Sequence, residues 1–203
     1  MSQIPALTGG RAIEHGIAMM VDHGGPSPAK MHVGGQAATK TAASAALTNT
    51  TTETALDSYA IPANSLVPGS TIRIKAAGII TAATADHALT ANLRLGPTST
   101  ALASRSPALF SLSAVDSSAN DIYYFDAIIQ VRTIGDSGTA VAIVNAQEPE
   151  TPTTDMQRTL VAEFSIDTKV EQTISISGAW DTANVGNSCR SDIFVVDIVN
   201  PST

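Results

Sequence analysis

Apolar and polar residues alternate along much of the chain after residue 45, most clearly in the segment Thr71–Gly78. Ile72 and Ile74 fall on one face of an extended strand, whereas Arg73 and Lys75 fall on the other. Successive side chains of a β-strand point to opposite faces of its sheet. The segment therefore predicts a strand of an antiparallel sheet, with one face buried and the other in solvent.

Seven further segments show strand patterns, and turns rich in glycine and proline separate them. The stretch 122–134 is long enough for one long or bent strand, and the turn 135–138 joins it to the next strand as a hairpin. Pro62 ends the earliest strand because proline cannot donate to a ladder. The seven segments are Thr54–Ile61, Leu89–Leu95, Ile122–Ile134, Thr139–Asn145, Leu160–Ile166, Ile174–Trp180 and Ile193–Val199.

About eight strands at this spacing, with no helix-period segment of useful length among them, predict an all-β antiparallel sandwich, most simply a jelly roll. Strand order cannot be read from a single sequence, so an immunoglobulin-like topology stays open. The last segment, Ile193–Val199, is apolar on both faces apart from Asp197. This pattern predicts that it is covered on both sides, either by the second sheet and the N-terminal segment or by a neighbouring subunit.

The first 45 residues lack such a pattern, and residues 1–35 hold seven of the chain's 14 glycines. Glycine loses much backbone entropy on ordering, so this stretch is expected to order mainly against a partner. We therefore predict an extended arm over residues 1–45, with few contacts to a β-sandwich domain over residues 46–203. Within the arm, Ala37–Leu47 is alanine-rich and is compatible with either a short helix or an extended chain.

Composition and charge narrow the classes of partner. Aromatic residues are 4% and charged residues 14% of the chain, which is typical of threonine-rich β-proteins and unlike a helical enzyme. The formal net charge is −7, and the arm carries +1, so the sandwich domain is acidic. An acidic domain argues against nucleic acid as a partner.

Cysteine usage and the N-terminus bear on compartment and stability. Cys189 is the single cysteine, so no intrachain disulfide can form, and we expect a small, half-buried residue near a strand start, not a reactive thiol. The N-terminus shows no signal-peptide pattern, and the apolar run Ile17–Val21 is too short for a membrane span. We expect synthesis in a cytosol and no membrane partner.

The motifs of common enzyme and metal sites do not occur in the chain, and the remaining polar clusters have simpler interpretations. His15, His23 and His32 match no common zinc spacing, and Asp86-His87 has no nucleophile placed beside it by a motif. These groups are interpreted as polar residues of the arm and of a loop. We predict no catalytic, cofactor-binding or metal-binding residues, and no cofactor.

Three other groups of residues were weighed as sites. Asp116, Ser118 and Asn120 reproduce the first oxygen positions of a calcium loop, but Asp121 and Ala127 stand where that loop needs glycine and glutamate, which favours a solvated loop. The acidic residues of the proline-containing stretch 148–155 are interpreted as a solvated connection and not as a paired-carboxylate site. An aromatic sugar platform is less well supported than a place in the core. The residues of these last two groups are Glu148, Glu150 and Asp155, and Trp180, Tyr123 and Tyr124.

Several pieces of the domain form a set that spans roughly residues 50–200. Thr52–Leu66 is followed by Gly69 and by the strand Ile72–Gly78. Later, Val131–Gly135 leads from a strand into a turn, and Thr168–Trp180 has a polar lead-in, then Gln-Thr-Ile, and closes on a tryptophan. This set resembles a module found in structural proteins of tailed-bacteriophage virions. The shared features fix strands and turns, so the resemblance specifies a module and not an activity.

The resemblance implies an oligomeric β-sandwich in a head fibre, a head decoration protein, or a tail-fibre or baseplate component. We expect a non-enzymatic virion protein that decorates the capsid, made in the host bacterial cytoplasm and held to the major capsid protein through residues 1–45. A homotrimer suits such a role, and a host-surface glycan is a further expected partner. The alternatives are a tail-fibre or baseplate component and, in a different class, a carbohydrate-binding module; an enzyme ranks third.

Overall fold

Extended segments make up almost all of the structure, a computed structural model that describes residues 35–84, 87–105, 108–116, 119–147 and 156–201. This part of the chain contains eleven strands and one short 3-10 turn at Leu102–Ser104. The strands are β1 Gly35–Ala38, β2 Leu47–Thr48, β3 Thr54–Ile61, β4 Thr71–Thr81, β5 Ala88–Pro97, β6 Ala108–Asp116, β7 Ala119–Thr133, β8 Gly138–Gln147, β9 Met156–Ile166, β10 Gln172–Trp180 and β11 Ser188–Val199.

The strands form two antiparallel sheets that pack against each other. Sheet A has the order β1-β11-β4-β7-β8-β9, and β2 pairs with the start of β11, whereas β1 pairs with its end. Sheet B has the order β3-β10-β5-β6. The predicted all-β antiparallel sandwich is therefore confirmed, with eleven strands in the described residues where about eight were expected, while the jelly-roll connectivity stays a prediction.

The core lies between the sheets and follows the alternation read from the sequence. On β4, Ile72 and Ile74 are fully buried, whereas Arg73 and Lys75 are exposed. The two sheets meet through aromatic rings as well, because Phe110 of β6 packs edge-on against Phe125 of β7 with ring centroids 6.1 Å apart. Such edge-to-face packing suits the ring quadrupoles.

Strand β6 is the main element that the sequence analysis did not assign. Only residues 110–114 alternate between apolar and polar, and Leu109 and Phe110 are both buried, so the start of the strand lacks a clean period of two. The pairing of β6 with β5 also shifts register between Leu93 and Arg94. A β-bulge of this kind breaks the alternation on which strand recognition depends. At the other end of this strand, Asp116 is the last residue of β6, and Asn120 lies in β7. The expected solvated loop is therefore wrong at both positions.

The described part of the arm is extended. Residues 35–38 form β1 and no helix occurs in 35–47, so the helical alternative for Ala37–Leu47 is wrong. Tertiary pairing decides the conformation, since β1 forms its hydrogen bonds with β11 and not within its own segment, as a helix would.

Strand β11 is buried on one face within the chain. Phe194, Val196 and Ile198 face the core, whereas Ile193 is 52% and Val199 is 39% exposed on the other face. In the part of the N-terminal segment that the structure describes, residues pair with the edge of β11 and do not cover this second face.

Two glycines have positions that no other residue fits well. Gly135, in the β7–β8 turn, has φ 113°, a left-handed conformation that side chains disfavour. Gly78 of β4 lies opposite Tyr123, and a Cβ there would overlap the backbone oxygen of Arg190 and lie 2.7 Å from the Tyr123 ring.

We expect Gly78→Ala to lower the free energy of unfolding by about 1–3 kcal/mol, because the added methyl forces β4 away from the backbone of β11. Thermal unfolding followed by circular dichroism measures the effect. Ala77→Ser, which adds one atom at a half-buried neighbouring position, is the matched control and should melt close to wild type. Equal melting temperatures for Gly78→Ala and wild type would show that the strands can separate without cost.

Candidate attachment region and interaction surface

The N-terminal lead-in segment, residues 35–53, runs along the edge of β11. Strand β1 pairs with residues 196–198 and β2 with residues 188–189. Between these two contacts, Ser44 N donates to the Ser191 carbonyl at 2.8 Å, and Ser191 N donates to Ser44 Oγ at 2.9 Å. The segment is therefore hydrogen-bonded to β11 near both of its ends and in the middle.

An ion pair ties the same segment to sheet B. Lys40 Nζ donates to Asp57 Oδ2 on β3 at 2.6 Å, and the two side chains are only 11% and 20% exposed. Strand β3 forms one edge of sheet B, so Lys40 links the edges of the two sheets. The expectation of few contacts between residues 1–45 and the sandwich is thus wrong for residues 35–44, because pairing to an open edge and this ion pair hold them. The boundary at residue 45 itself stays a prediction.

The end of the lead-in segment is fixed by the Glu53 cluster, which consists of Glu53, Asn92, Arg94 and Ser177. Glu53 accepts two hydrogen bonds from the Arg94 guanidinium, at 2.6 Å from Nε and at 2.8 Å from a terminal nitrogen. Asn92 Nδ2 donates to the same carboxylate at 3.2 Å and Ser177 Oγ at 2.5 Å. Paired charge-assisted bonds of this geometry are stronger than neutral ones.

Electrostatics at Glu53 follow from these partners. Burial alone would raise the pKa of the carboxyl, but the hydrogen bonds from Arg94 and Ser177 and the Arg94 charge outweigh it, so the pKa lies below its ordinary value. The carboxylate is therefore charged in the folded protein under neutral conditions, and its role is to hold residue 53 against β10 and β5.

The polar cover continues over the outer face of sheet B. Arg105 donates to Ser175 Oγ at 2.8 Å, and the hydroxyls of Thr98 and Thr173 lie 2.7 Å apart. These contacts bury the polar side of β10. Strand β10 is therefore buried on both faces, although only one of its faces is apolar. The cluster is internally satisfied and acts as a structural brace.

The outer face of sheet A differs, because large aliphatic side chains are exposed there beside charged ones. Arg73, Lys75, Asp126, Ile128, Val195 and Asp197 line a shallow depression of about 280 Å³ on β4, β7 and β11. Lys75 Nζ lies 3.7 Å from Asp126 Oδ2, and Tyr124 Oη donates to the same carboxylate at 3.2 Å. Ile128 is 48% exposed. We treat this face as a candidate interaction surface.

The aromatic residues weighed as a sugar platform lie mostly in the core. Trp180 is 2% exposed and Tyr123 is fully buried, which confirms the core interpretation for both. Tyr124, the next residue on β7, points the other way and is half-buried on the outer face of sheet A. Burial also raises the pKa of Tyr123 above its ordinary value.

Cys189 lies at the start of β11 and is buried, in agreement with a structural role. Burial, with a smaller contribution from the Asp192 charge, raises the pKa of the thiol to about 12. The thiolate is the reactive form of cysteine, so this residue is unreactive at neutral pH.

The remaining polar clusters from the sequence lie largely outside the described residues. His87 Nδ1 lies 2.9 Å from Asn187 Oδ1, which joins two loops, and its neighbour Asp86 lies outside the described residues. The arm histidines His15, His23 and His32, as well as Ser118 and the acidic stretch 148–155, also lie outside them. Among the described residues, no group of three or more potential ligand side chains is placed to hold a metal ion.

Sequence reasoning missed the ion pair and the Glu53 cluster. Glu53 and Ser177 are 124 positions apart, so no spacing rule connects them. One signal was present for the outer face of sheet A, since Ile122 and Ile128 alternate in step with the charged residues Asp126 and Arg132.

No family model matches the chain, and no curated protein is significantly similar to it. In the described part, no helix has the length and apolar character needed to cross a membrane.

We expect Glu53→Gln to lower the free energy of unfolding by about 1–3 kcal/mol near pH 7, because it leaves the Arg94 charge half-buried without its counter-ion. Since the pKa of Glu53 is lowered on folding, its contribution is present above the unfolded-state value of about 4.5 and is lost as pH falls through the folded-state value. The gap between wild type and variant should therefore narrow below about pH 4.5.

Urea unfolding at several pH values measures this gap. Glu171→Gln removes an exposed carboxylate and serves as the matched control, with little effect expected at any pH. A gap that persists unchanged into acid would mean that packing, and not charge, holds residue 53.

Proposed function

We propose that this chain is a non-enzymatic structural protein of a tailed-bacteriophage virion, which decorates the capsid and is held there through its N-terminal residues. The observation that carries the proposal is the position of β1, an edge strand of sheet A formed from the N-terminal segment. The chain continues from residue 34 into this strand, so residues 1–34 are connected to the sandwich at its edge. A segment joined in this way can engage a separate surface while the folded domain stays intact.

The partner in this proposal is the major capsid protein. A glycine-rich segment has little tendency to form its own core, and it gains affinity when many contacts spread over a large surface. Several copies on one particle add avidity, which suits a repeating capsid lattice. A homotrimer and location in the virion belong to the same proposal. The resemblance supports it, and the acidic, braced sandwich would face outward.

Two of the three aromatic residues on which the carbohydrate-binding alternative depends are buried. Such modules stack sugars on exposed aromatic rings, whereas the rings of Trp180 and Tyr123 are buried. A host-surface glycan as an additional partner of the virion protein stays a prediction, as does the tail-fibre or baseplate alternative. Copy number per virion, from a quantitative gel, separates a decoration protein from a fibre, because a decoration protein occurs in many more copies.

Deleting residues 1–34 should abolish binding to particles that lack the native protein, while the melting temperature stays within a few degrees of wild type. The deletion stops before β1, so the described contacts of the lead-in segment with the sandwich are kept. Binding is measured by co-sedimentation with the particles, and folding by circular dichroism.

Deleting residues 1–45 is the informative comparison, because it also removes β1, the Lys40–Asp57 ion pair and the Ser44–Ser191 bonds. This longer deletion should lower the melting temperature clearly. If the protein without residues 1–34 decorates particles as well as the full chain, the N-terminal residues are not the anchor and the proposed mode of attachment is wrong.

A further inference from the structure

Exposed aliphatic side chains are distributed unequally over the sandwich. In the described residues, five large aliphatic side chains on strands are exposed, and all five point outward from sheet A. The other exposed large aliphatics, Ile134, Val170 and Val185, lie in turns. The five are Ile122 (56% exposed), Ile128 (48%), Ile143 (46%), Ile193 (52%) and Val199 (39%).

The register places two of these residues side by side and the other three elsewhere on the same face. Ile128 of β7 lies directly opposite Ile143 of β8, and Arg73 of β4 lies on the other side of Ile128. Residues opposite each other in antiparallel strands have Cβ atoms about 5 Å apart. Ile128 and Ile143 are therefore neighbours, and Ile122, Ile193 and Val199 lie farther along the same outer face of sheet A.

The charges on this surface are balanced, although the chain as a whole has a net charge of −7. Its central depression contains two cationic and two anionic side chains, Arg73 and Lys75 with Asp126 and Asp197. A lipid surface would have to bury these four charges among its acyl chains, and a nucleic acid would meet an acidic protein. A surface with equal numbers of both signs is compatible with a second copy of itself.

The size of the surface also fits a subunit contact. The face is formed by five neighbouring strands, β11, β4, β7, β8 and β9, which lie about 4.8 Å apart. With 11 residues paired between β4 and β7, the face measures roughly 24 by 34 Å, or about 800 Å². A standard stable interface buries about 800 Å² on each partner. The outer face of sheet B does not compare, because the polar brace around Glu53 and Arg105 covers it.

We propose that the outer face of sheet A is the surface through which copies of this chain associate, with Ile128 and Ile143 at its centre. The proposal names the subunit contact of the proposed virion protein and in that respect rests on the proposed function. Association buries the exposed isoleucines and lets the central acidic and basic side chains pair across the contact.

The test compares Ile128→Asp with Ile134→Asp in the full-length chain. Both isoleucines are 48% exposed, but Ile134 lies in the β7–β8 turn and outside the proposed surface. Molar mass is measured by light scattering over a concentration series, and circular dichroism follows folding. We expect wild type and Ile134→Asp to associate equally, and Ile128→Asp to need at least about tenfold higher concentration for the same degree of association.

A monomeric wild type, or an Ile128→Asp variant that associates like wild type, would overturn the proposal. So would an equal loss of association in Ile134→Asp. If an aspartate variant loses its melting transition, the same comparison with Ile128→Ser and Ile134→Ser decides the question. Because the experiment contains no capsid particles, its result is independent of whether residues 1–34 anchor the chain to a capsid.

Discussion

The organisation of this sandwich depends on the edge of β11 that does not face β4. An unpaired strand edge presents a row of free backbone donors and acceptors and invites pairing with another chain. The protein fills that edge with its own N-terminal lead-in segment, through β1, the Ser44–Ser191 bonds and β2. Once the segment is held there, Lys40 lies within reach of Asp57, and the sheets are linked along this side.

The same constraint separates the two outer faces. The lead-in segment ends at Glu53, whose carboxylate reaches Arg94 and Ser177 and closes the polar brace over sheet B. Among the described residues, no comparable brace lies over the depression on sheet A, where charged and aliphatic side chains lie side by side at the surface. One face of the sandwich is thus satisfied within the chain, while the other retains the properties of a surface that binds.

The regular strands could be predicted from the sequence because their signal is local. The bounds of β3 match the prediction because Pro62 follows that strand, and the faces of β4 are correct because alternation is sufficient there, although β4 continues past Gly78 to Thr81. Prediction failed where the determinant was non-local or irregular. The bulged start of β6 hides its period, and β1 is a strand only because β11 offers it an edge.

The candidate surfaces show the same division. Burial of Trp180 and Cys189 could be expected from composition, because a chain with few aromatic residues uses them in its core. The Lys40–Asp57 pair joins residues 17 positions apart with no repeating pattern between them, and the Glu53 cluster joins three separate strands or loops. Such contacts exist only once the two sheets have been assembled in register.

The way β1 is attached also determines how the protein responds to force. A pull on the N-terminus along the axis of β1 loads the β1–β11 hydrogen bonds together, because ladder bonds lie perpendicular to the strands and are sheared as a set. The Lys40–Asp57 pair and the Ser44–Ser191 bonds lie behind β1 in the chain and take up the load only after β1 has detached. The lead-in segment is therefore a tether with successive points of mechanical resistance, and the core strands are the last to carry the load.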